Sequence, residues 1–239
     1  MLMNMTPDSG VLLLNPRPSA LIEAMRDIGY SFSSAVADII DNSIAASAKN
    51  ITLRYGWEGD VPWIALTDDG VGMNRDEMLE AMRPGSKDPR AEREVHDLGR
   101  FGLGLKTASF SQCRELTVLT KKDKSLCGMR WDLDHVAASN RWEIVEITPH
   151  DMNTLPCSLP DEDSFTTVLW RKIDRLEMAG LGDLGHNAFN ELMAALSQHL
   201  SRIFHRFLSG EPSLKKIRIS INGTEIAPFD PFAELNDPR

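Results

Sequence analysis

Apolar residues along this chain recur in two periods, every three to four residues and every second residue, and the switches between them order its elements. Leu21, Ile22 and Met25 share one side of a helix over about residues 18–27. A second helix covers about 33–48, with Ala37, Ile40, Ile44 and Ala48 as an apolar stripe and Ala35 and Ile39 round the side. Extended runs over 50–55 and 61–66 follow, separated by a turn containing Gly56 and Gly59. Residues 74–83 predict a short helix, with Asn74 or Met73 near its N-cap and Asp76 and Glu77 in its first turn. A helix near 103–112 gives way to strands over 115–120, 127–133, 142–147 and 165–171, the last two separated by a polar stretch over 149–163. A long amphipathic helix covers 187–208, and strands at 216–221 and 224–226 meet across Asn222-Gly223, a hairpin signal. Consecutive strands suit hairpins better than repeated parallel crossovers. The pattern therefore predicts an α/β (α+β) two-layer sandwich with a mixed, mostly antiparallel sheet.

One stretch has neither period. Residues 84–104 combine two prolines, four glycines and mixed charge, and read as a long loop of the kind that forms functional lids.

Composition narrows the classes. With 239 residues the chain can bury about 70–75% of its unfolded surface and needs no metal or disulfide staple. Its 26 Lys+Arg against 35 Asp+Glu give a net charge of −9, which argues against wrapping nucleic acid by bulk charge. The local exception is a cluster of Arg202, His205, Arg206, Lys215, Lys216 and Arg218, read as a solvated helix end and strand edge before a partner surface. Three cysteines without Cys-x-x-Cys spacing suit a reducing setting. The aliphatic run over 11–14 is far short of the ~20 residues that span a bilayer, and residues 1–15 carry no Lys or Arg, so no membrane role and a cytoplasmic location are expected.

Three stretches carry candidate chemistry. On the second helix Asp38 and Asn42 are four apart and share a face, either as a solvent-facing polar stripe or pointing into a ligand cavity. At the end of the second strand, Leu66-Thr-Asp-Asp-Gly-Val-Gly-Met73 is either a plain Asp-Gly turn or a close backbone approach to a ligand, with Asp68 placed to accept from an amino group. In Asp97-Leu-Gly-Arg-Phe-Gly-Leu-Gly-Leu-Lys106, Gly99, Gly102 and Gly104 precede a helix. That stretch is either a structural turn or a set of N–H groups that could cradle phosphates. It is neither a Walker A loop nor a dinucleotide fingerprint, because the glycine spacing fits neither.

Taken in order, these stretches and the Thr-bearing strand at 165–168 resemble the GHKL ATPases, the superfamily of gyrase, heat-shock chaperones, histidine kinases and MutL. The likeness covers about 31–171 and is nearest to the MutL and MORC branch, through Asp38-Ile-Ile-Asp-Asn-Ser43 and Gly99-Arg-Phe-Gly-Leu-Gly-Leu-Lys106. It implies the Bergerat fold, with helices on one face of the sheet, and a Mg²⁺-dependent ATP site. Asn42 would hold Mg²⁺ through its amide oxygen with phosphate oxygens and waters. Asp68 would accept the adenine amino group, Gly70 and Gly72 would let the base approach, and Met73 would touch the ring. Gly99, Phe101, Gly102, Leu103 and Gly104 would form the phosphate loop, Lys106 would add charge, and Ser86 and Lys87 would belong to a lid over about 84–104. Thr166 would reach adenine directly or through water. Asp38 would be the base that activates water. The implied organisation is an N-terminal segment over 1–30 that serves as a lid or dimer strap, the ATP-binding domain over 31–227, and a linker over 228–239 toward a transducer domain absent from this sequence.

The chain departs from that family at four points. Asp38 stands where hydrolytic members carry Glu, one methylene longer. A general base contributes about 10²–10⁴ in rate and a misplacement of about 1 Å can cost about 10²-fold, so slow turnover is expected. Asp41, turned about 100° further round the helix, is the poorer stand-in. Phe165 replaces a Gly before the adenine-side Thr, and Ala45 replaces an Asp after the Asn-Ser pair. Lastly, the lysine that the resemblance expects from a transducer domain is not expected within these 239 residues. The expected activity is weak ATP hydrolysis, with ATP and ADP as ligands, an ATP-dependent homodimer, and DNA or a DNA-processing partner for the full-length protein. The alternatives are a non-hydrolysing ATP-binding switch and a histidine-kinase catalytic domain.

Overall fold

Each of the first two helices starts at a residue suited to start it. α1 (Pro18–Arg26) opens on a proline, whose missing N–H costs nothing in the first turn. α2 (Phe32–Ala45) is capped by Ser31, whose hydroxyl accepts from the Ser34 amide at 3.1 Å. The structure is a computed structural model and describes residues 14–85, 104–175, 186–212 and 214–230. Hairpin β1 (Asn50–Glu58) and β2 (Val61–Asp68) turns at Gly59, which is left-handed at φ +61°, while Gly56 lies inside β1. α3 (Arg75–Met82) begins with a reciprocal capping box between Asn74 and Glu77. α4 (Gly104–Phe110), β3 (Cys113–Lys122) and β4 (Ser125–Asp132) follow.

Two short helices escape the periodicity. The Asp132 side chain accepts from the amides of Asp134 and His135 and starts α5 (Leu133–Ser139) where the strand pattern runs on to residue 133. α6 (Pro149–Met152) is a single turn with its own Thr148–Asp151 capping box. Between them β5 shrinks to Val145–Glu146. β6 (Phe165–Ile173) is the central long strand. The last helix, expected to be continuous, is α7 (His186–Ile203) and α8 (His205–Ser209), broken at Phe204, which is buried. β7 (Arg218–Ile221) and β8 (Thr224–Glu225) close on Asn222 and Gly223, both at positive φ as this tight hairpin demands.

The strands form one eight-stranded sheet in the order β5-β4-β3-β6-β2-β1-β7-β8. Every pairing is antiparallel except β1 with β7. The expected mixed, mostly antiparallel sheet is thus borne out. Helices α1, α2, α4 and α7 pack one face through a continuous core that includes Ile22, Ile39, Ile40, Ala108, Phe110, Phe189 and Leu196, against Leu53, Ile64, Leu66, Val118 and Trp170 of the strands. The opposite face carries two smaller clusters, one of them Leu119, Ile147 and Met152 under α6.

α1, on the N-terminal side of residue 30, contributes to this core. Ile22 and Met25 are buried in it, and the Arg26 guanidinium, 3% exposed, donates to the Phe110 and Cys113 carbonyls and pairs with Asp174. A buried arginine needs partners, and these come from α4, β3 and the residue after β6. Residues 1–13 and 231–239, to which the strap and the linker were assigned in part, lie outside the described residues.

Candidate functional site

β2 carries Asp68 to the end of the sheet and leaves it 4% exposed beneath α2. Its Oδ2 is 2.8 Å from the Ser43 hydroxyl of α2, and its Oδ1 accepts from the Gly70 amide at 2.9 Å. Burial pushes its carboxyl above the ordinary value, against the pull of those two hydrogen bonds and with a smaller push from Asp69. Asp69 has a different task. It accepts from the Lys49 and Asn50 amides and from the Asn50 side chain, locking the α2–β1 connection to the end of β2. Partial burial works against its charge, but those donors win and hold its carboxyl low.

The glycines after Asp68 are required by the protein's own packing. A Cβ on Gly70 would lie 2.7 Å from Asp68 Oδ1 and 2.8 Å from the Ala46 carbonyl. Gly72 has φ +64°, and a Cβ there would overlap the Lys121 carbonyl oxygen. The loop is tied down on both sides, by Val71 N to the Ala46 carbonyl at 3.0 Å and by Met73 N to Thr120 Oγ1 at 2.9 Å.

Thr166 sits directly opposite Asp68 on β6 and opposite Thr120 on β3, so the three form one row across adjacent strands. The Thr120 and Thr166 hydroxyls are 3.3 Å apart. Thr120 donates to the Phe165 carbonyl at 2.8 Å, so the position where a glycine was expected contributes its main chain to this row. Thr120 and Ser43 were not singled out from the sequence. Ser43 stood inside a quoted motif, and the signal for Thr120 would have been its strand register, which spacing alone does not supply.

The polar face of α2 is real, and its apolar face is broader than the expected stripe. Ala37, Ile40 and Ala48 of that stripe are buried and Ile44 is half-buried, while Ala35, Val36, Ile39 and Ser43 extend the buried face. Asp38 and Asp41 are half-buried, and Asn42 is exposed. Three residues apart on a helix means about 60° apart, so Asp41 lies beside Asp38 and is not turned away from it. Burial first, and the Asp38 charge second, raise the Asp41 carboxyl to about 6. The Tyr30 hydroxyl donates to Asp38 Oδ2 at 2.8 Å. The Asn42 side chain makes no hydrogen bond among the described residues, and no cluster of three or more His, Cys, Asp or Glu able to hold a metal occurs among them. A hard cation here would thus rely on the Asn42 oxygen plus ligand oxygens and water, the donor set that Mg²⁺ uses with phosphates.

Lys106 is where the arrangement departs most from expectation. It is 1% exposed, and its ammonium donates to the carbonyls of Ala81 at 2.7 Å and Arg83 at 2.9 Å. These are carbonyls that the end of α3 cannot satisfy within the helix, and a cation there also suits the helix dipole. The charge expected at a phosphate is engaged at a helix end. Gly104 begins α4 and is half-buried, with open space where a Cβ would be. Ser86, Lys87, Gly99, Phe101, Gly102 and Leu103 lie outside the described residues. An apolar cleft of about 400 Å³, bordered by Leu21, Leu79, Met82, Trp131 and Trp142, touches none of the candidate residues.

A family profile described as "Histidine kinase-, DNA gyrase B-, and HSP90-like ATPase" matches residues 30–166. The ATPase morc-1 of Caenorhabditis elegans is 36% identical over 90 residues, 38% of this chain and 10% of that protein. The DNA mismatch repair protein MutL of Thermoanaerobacter sp. (strain X514) is 34% identical over 100 residues, 41% of this chain and 16% of its own length. The MutL of Clostridium beijerinckii is 31% identical over 205 residues, 81% of this chain and 29% of the relative. The chain thus spans less than a third of each of these relatives. No described helix is long and apolar enough to cross a membrane.

Proposed function

The chain belongs to the histidine kinase-, DNA gyrase B- and HSP90-like ATPase family, with MutL and MORC ATPases among its relatives, and on that premise we propose that it binds ATP with Mg²⁺ and hydrolyses it slowly to ADP and phosphate. One observation carries the reading. Asp68 is a buried carboxylate at a strand end, held by Ser43 and Gly70, in the same row as Thr166 and beneath the helix that bears Asp38 and Asn42.

Asp68 accepts the exocyclic amino group of adenine. The Gly70–Met73 loop supplies main chain and the Met73 side chain to the base, and Thr166 lies within reach of the same edge. Asn42 holds Mg²⁺ by its amide oxygen, and the ion when bound neutralises charge on the phosphate oxygens. Gly99, Phe101, Gly102, Leu103 and Gly104 form the phosphate loop, and Ser86 and Lys87 belong to the lid that closes over the nucleotide. Asp38 takes a proton from water as its oxygen attacks the terminal phosphorus, and ADP leaves with the bridging oxygen. Lys106 adds charge to the phosphates from an ammonium that also donates to the Ala81 and Arg83 carbonyls, two of its three donors. ATP binding favours a homodimer, and the longer protein acts on DNA or with a DNA-processing partner.

Two observations favour a second reading, a switch that binds ATP without turnover: Asp38 is shorter than the family's glutamate, and Lys106 is engaged elsewhere. One experiment separates them. Calorimetric titration of ATP with and without Mg²⁺ measures binding, and single-turnover assays of Asp38→Ala measure chemistry. Loss of hydrolysis with binding within about two-fold supports Asp38 as the base at the expected 10²–10⁴ contribution. Phosphate release at the unaltered rate removes Asp38 from that role, and no ATP binding by the unaltered protein overturns both readings.

A further inference from the structure

We infer that Tyr30 is a positioning residue for Asp38 that ties the orientation of this carboxylate to the segment beginning with α4. The inference rests on the reading of Asp38 as the base. Tyr30 lies in the short connection between α1 and α2, just after Gly29, whose φ of +70° turns the chain back over α2. From there its hydroxyl reaches a carboxylate eight residues ahead and donates to Oδ2 at 2.8 Å.

An aspartate carboxylate rotates freely about its last torsion, because that sp³–sp² torsion is broad. A donor fixed on one oxygen removes the freedom and leaves the other oxygen as the edge that faces water. For a base one methylene shorter than the family's, orientation matters more, since about 1 Å of misplacement can cost about 10²-fold.

Tyr30 is itself held from the exit of α4. Its carbonyl accepts from Gln112 Nε2 at 3.3 Å, and Gln112 is 2% exposed. Burial, then the Asp38 hydrogen bond and charge, raise the phenol above its usual value, so the proton stays on Tyr30 and Asp38 remains the acceptor. The Gln112 contact thus links the exit of α4 to Asp38 through one residue. Tyr30 also packs its ring against the core, which gives the competing account that it is only structural.

Single-turnover ATP hydrolysis and ATP affinity, measured on the whole chain for Tyr30→Phe, Asp38→Ala and the double variant, distinguish these accounts. Tyr30→Phe keeps the ring and is expected to slow hydrolysis about 10-fold with ATP affinity within two-fold, while the double variant is no slower than Asp38→Ala alone. Tyr30→His, which keeps a ring and a donor, should recover part of the lost rate, and it serves in the same comparison if Tyr30→Phe does not fold. Equal slowing by Tyr30→Phe in both backgrounds, or a loss that appears as weaker ATP binding, overturns the inference in favour of a structural role. An unaltered rate for Tyr30→Phe where Asp38→Ala abolishes hydrolysis also overturns it and leaves the base reading intact. Asp38→Ala at the unaltered rate, or no turnover by the unaltered protein, instead removes the reading on which it rests.

Discussion

The Lys106 ammonium lies 2.7 Å from the carbonyl oxygen of Ala81, in a side chain that is 1% exposed. Together with the Trp131 indole, which donates to the Met82 carbonyl at 3.1 Å, it closes the C-terminal end of α3 just before the segment assigned to the lid. Truncating Lys106 removes the donor from two part-buried carbonyls, at about 1–3 kcal/mol for each one not rescued by water. Lys106→Ala is therefore expected to lower stability by about 2–4 kcal/mol in urea unfolding. A change below about 0.5 kcal/mol, within the range of an ordinary surface substitution, would mean that the helix end does not depend on it.

Most of the fold was legible because the hydrophobic periods are regular where the chain is long. β1, β2, β3 and β6 run through residues that alternate between a helix-covered face and the opposite one, and Asn74 and Asn222-Gly223 announce a helix start and a hairpin. Other features were not legible. α5 begins at an aspartate that continues the apparent strand, and α6 is one turn inside a polar stretch. At the site, the family resemblance put Asp38, Asn42, Asp68 and Thr166 in one region, but a motif cannot say which way a long side chain turns. Lys106 faces α3, and Tyr30 reaches Asp38 from the connection before α2.

If Asp68 recognises adenine, removing its charge while keeping its shape should weaken ATP and leave a triphosphate with another base unaffected. Asp68→Asn is expected to cost about 1–3 kcal/mol of ATP binding, or about 5- to 150-fold in Kd, by calorimetry. The variant must first be shown folded, because the carboxylate also bonds Ser43 and Gly70. A folded variant with unaltered ATP affinity places the base elsewhere.

Gly72 tests whether the loop glycines serve the protein's packing or only a ligand. A methyl group at Gly72 meets the Lys121 carbonyl and must also adopt φ +64°, so Gly72→Ala should destabilise the free protein. The expected cost is about 1–3 kcal/mol from backbone strain, read by thermal or urea unfolding without nucleotide. Unaltered stability with weakened ATP binding would assign the glycine to the ligand alone.

Asp41 gives a stability effect whose sign with pH is opposite to that of Asp69. Its carboxyl moves from 3.8 to about 6 on folding, chiefly by burial and then by the Asp38 charge. Between those two values the folded state binds more protons than the unfolded chain, so this group's contribution to stability falls as pH rises through that window. The full shift corresponds to about 3 kcal/mol, and partial access of water to the side chain reduces this to about 1–2 kcal/mol. Asp69 is held low by its donors, so its contribution is present above the unfolded carboxyl value and is lost as pH falls. That contribution is common to the native protein and an Asp41 variant and cancels in their difference. Asp41→Asn, measured by urea unfolding without nucleotide, should therefore be about 1–2 kcal/mol more stable than the native protein near pH 7.5. The advantage should shrink steadily as pH falls through the window between about 6 and 3.8 and vanish only below about pH 3, where Asp41 is protonated in both states. A difference that stays constant across this range would show that the asparagine acts through packing and that Asp41 is not charged against Asp38 in the folded protein.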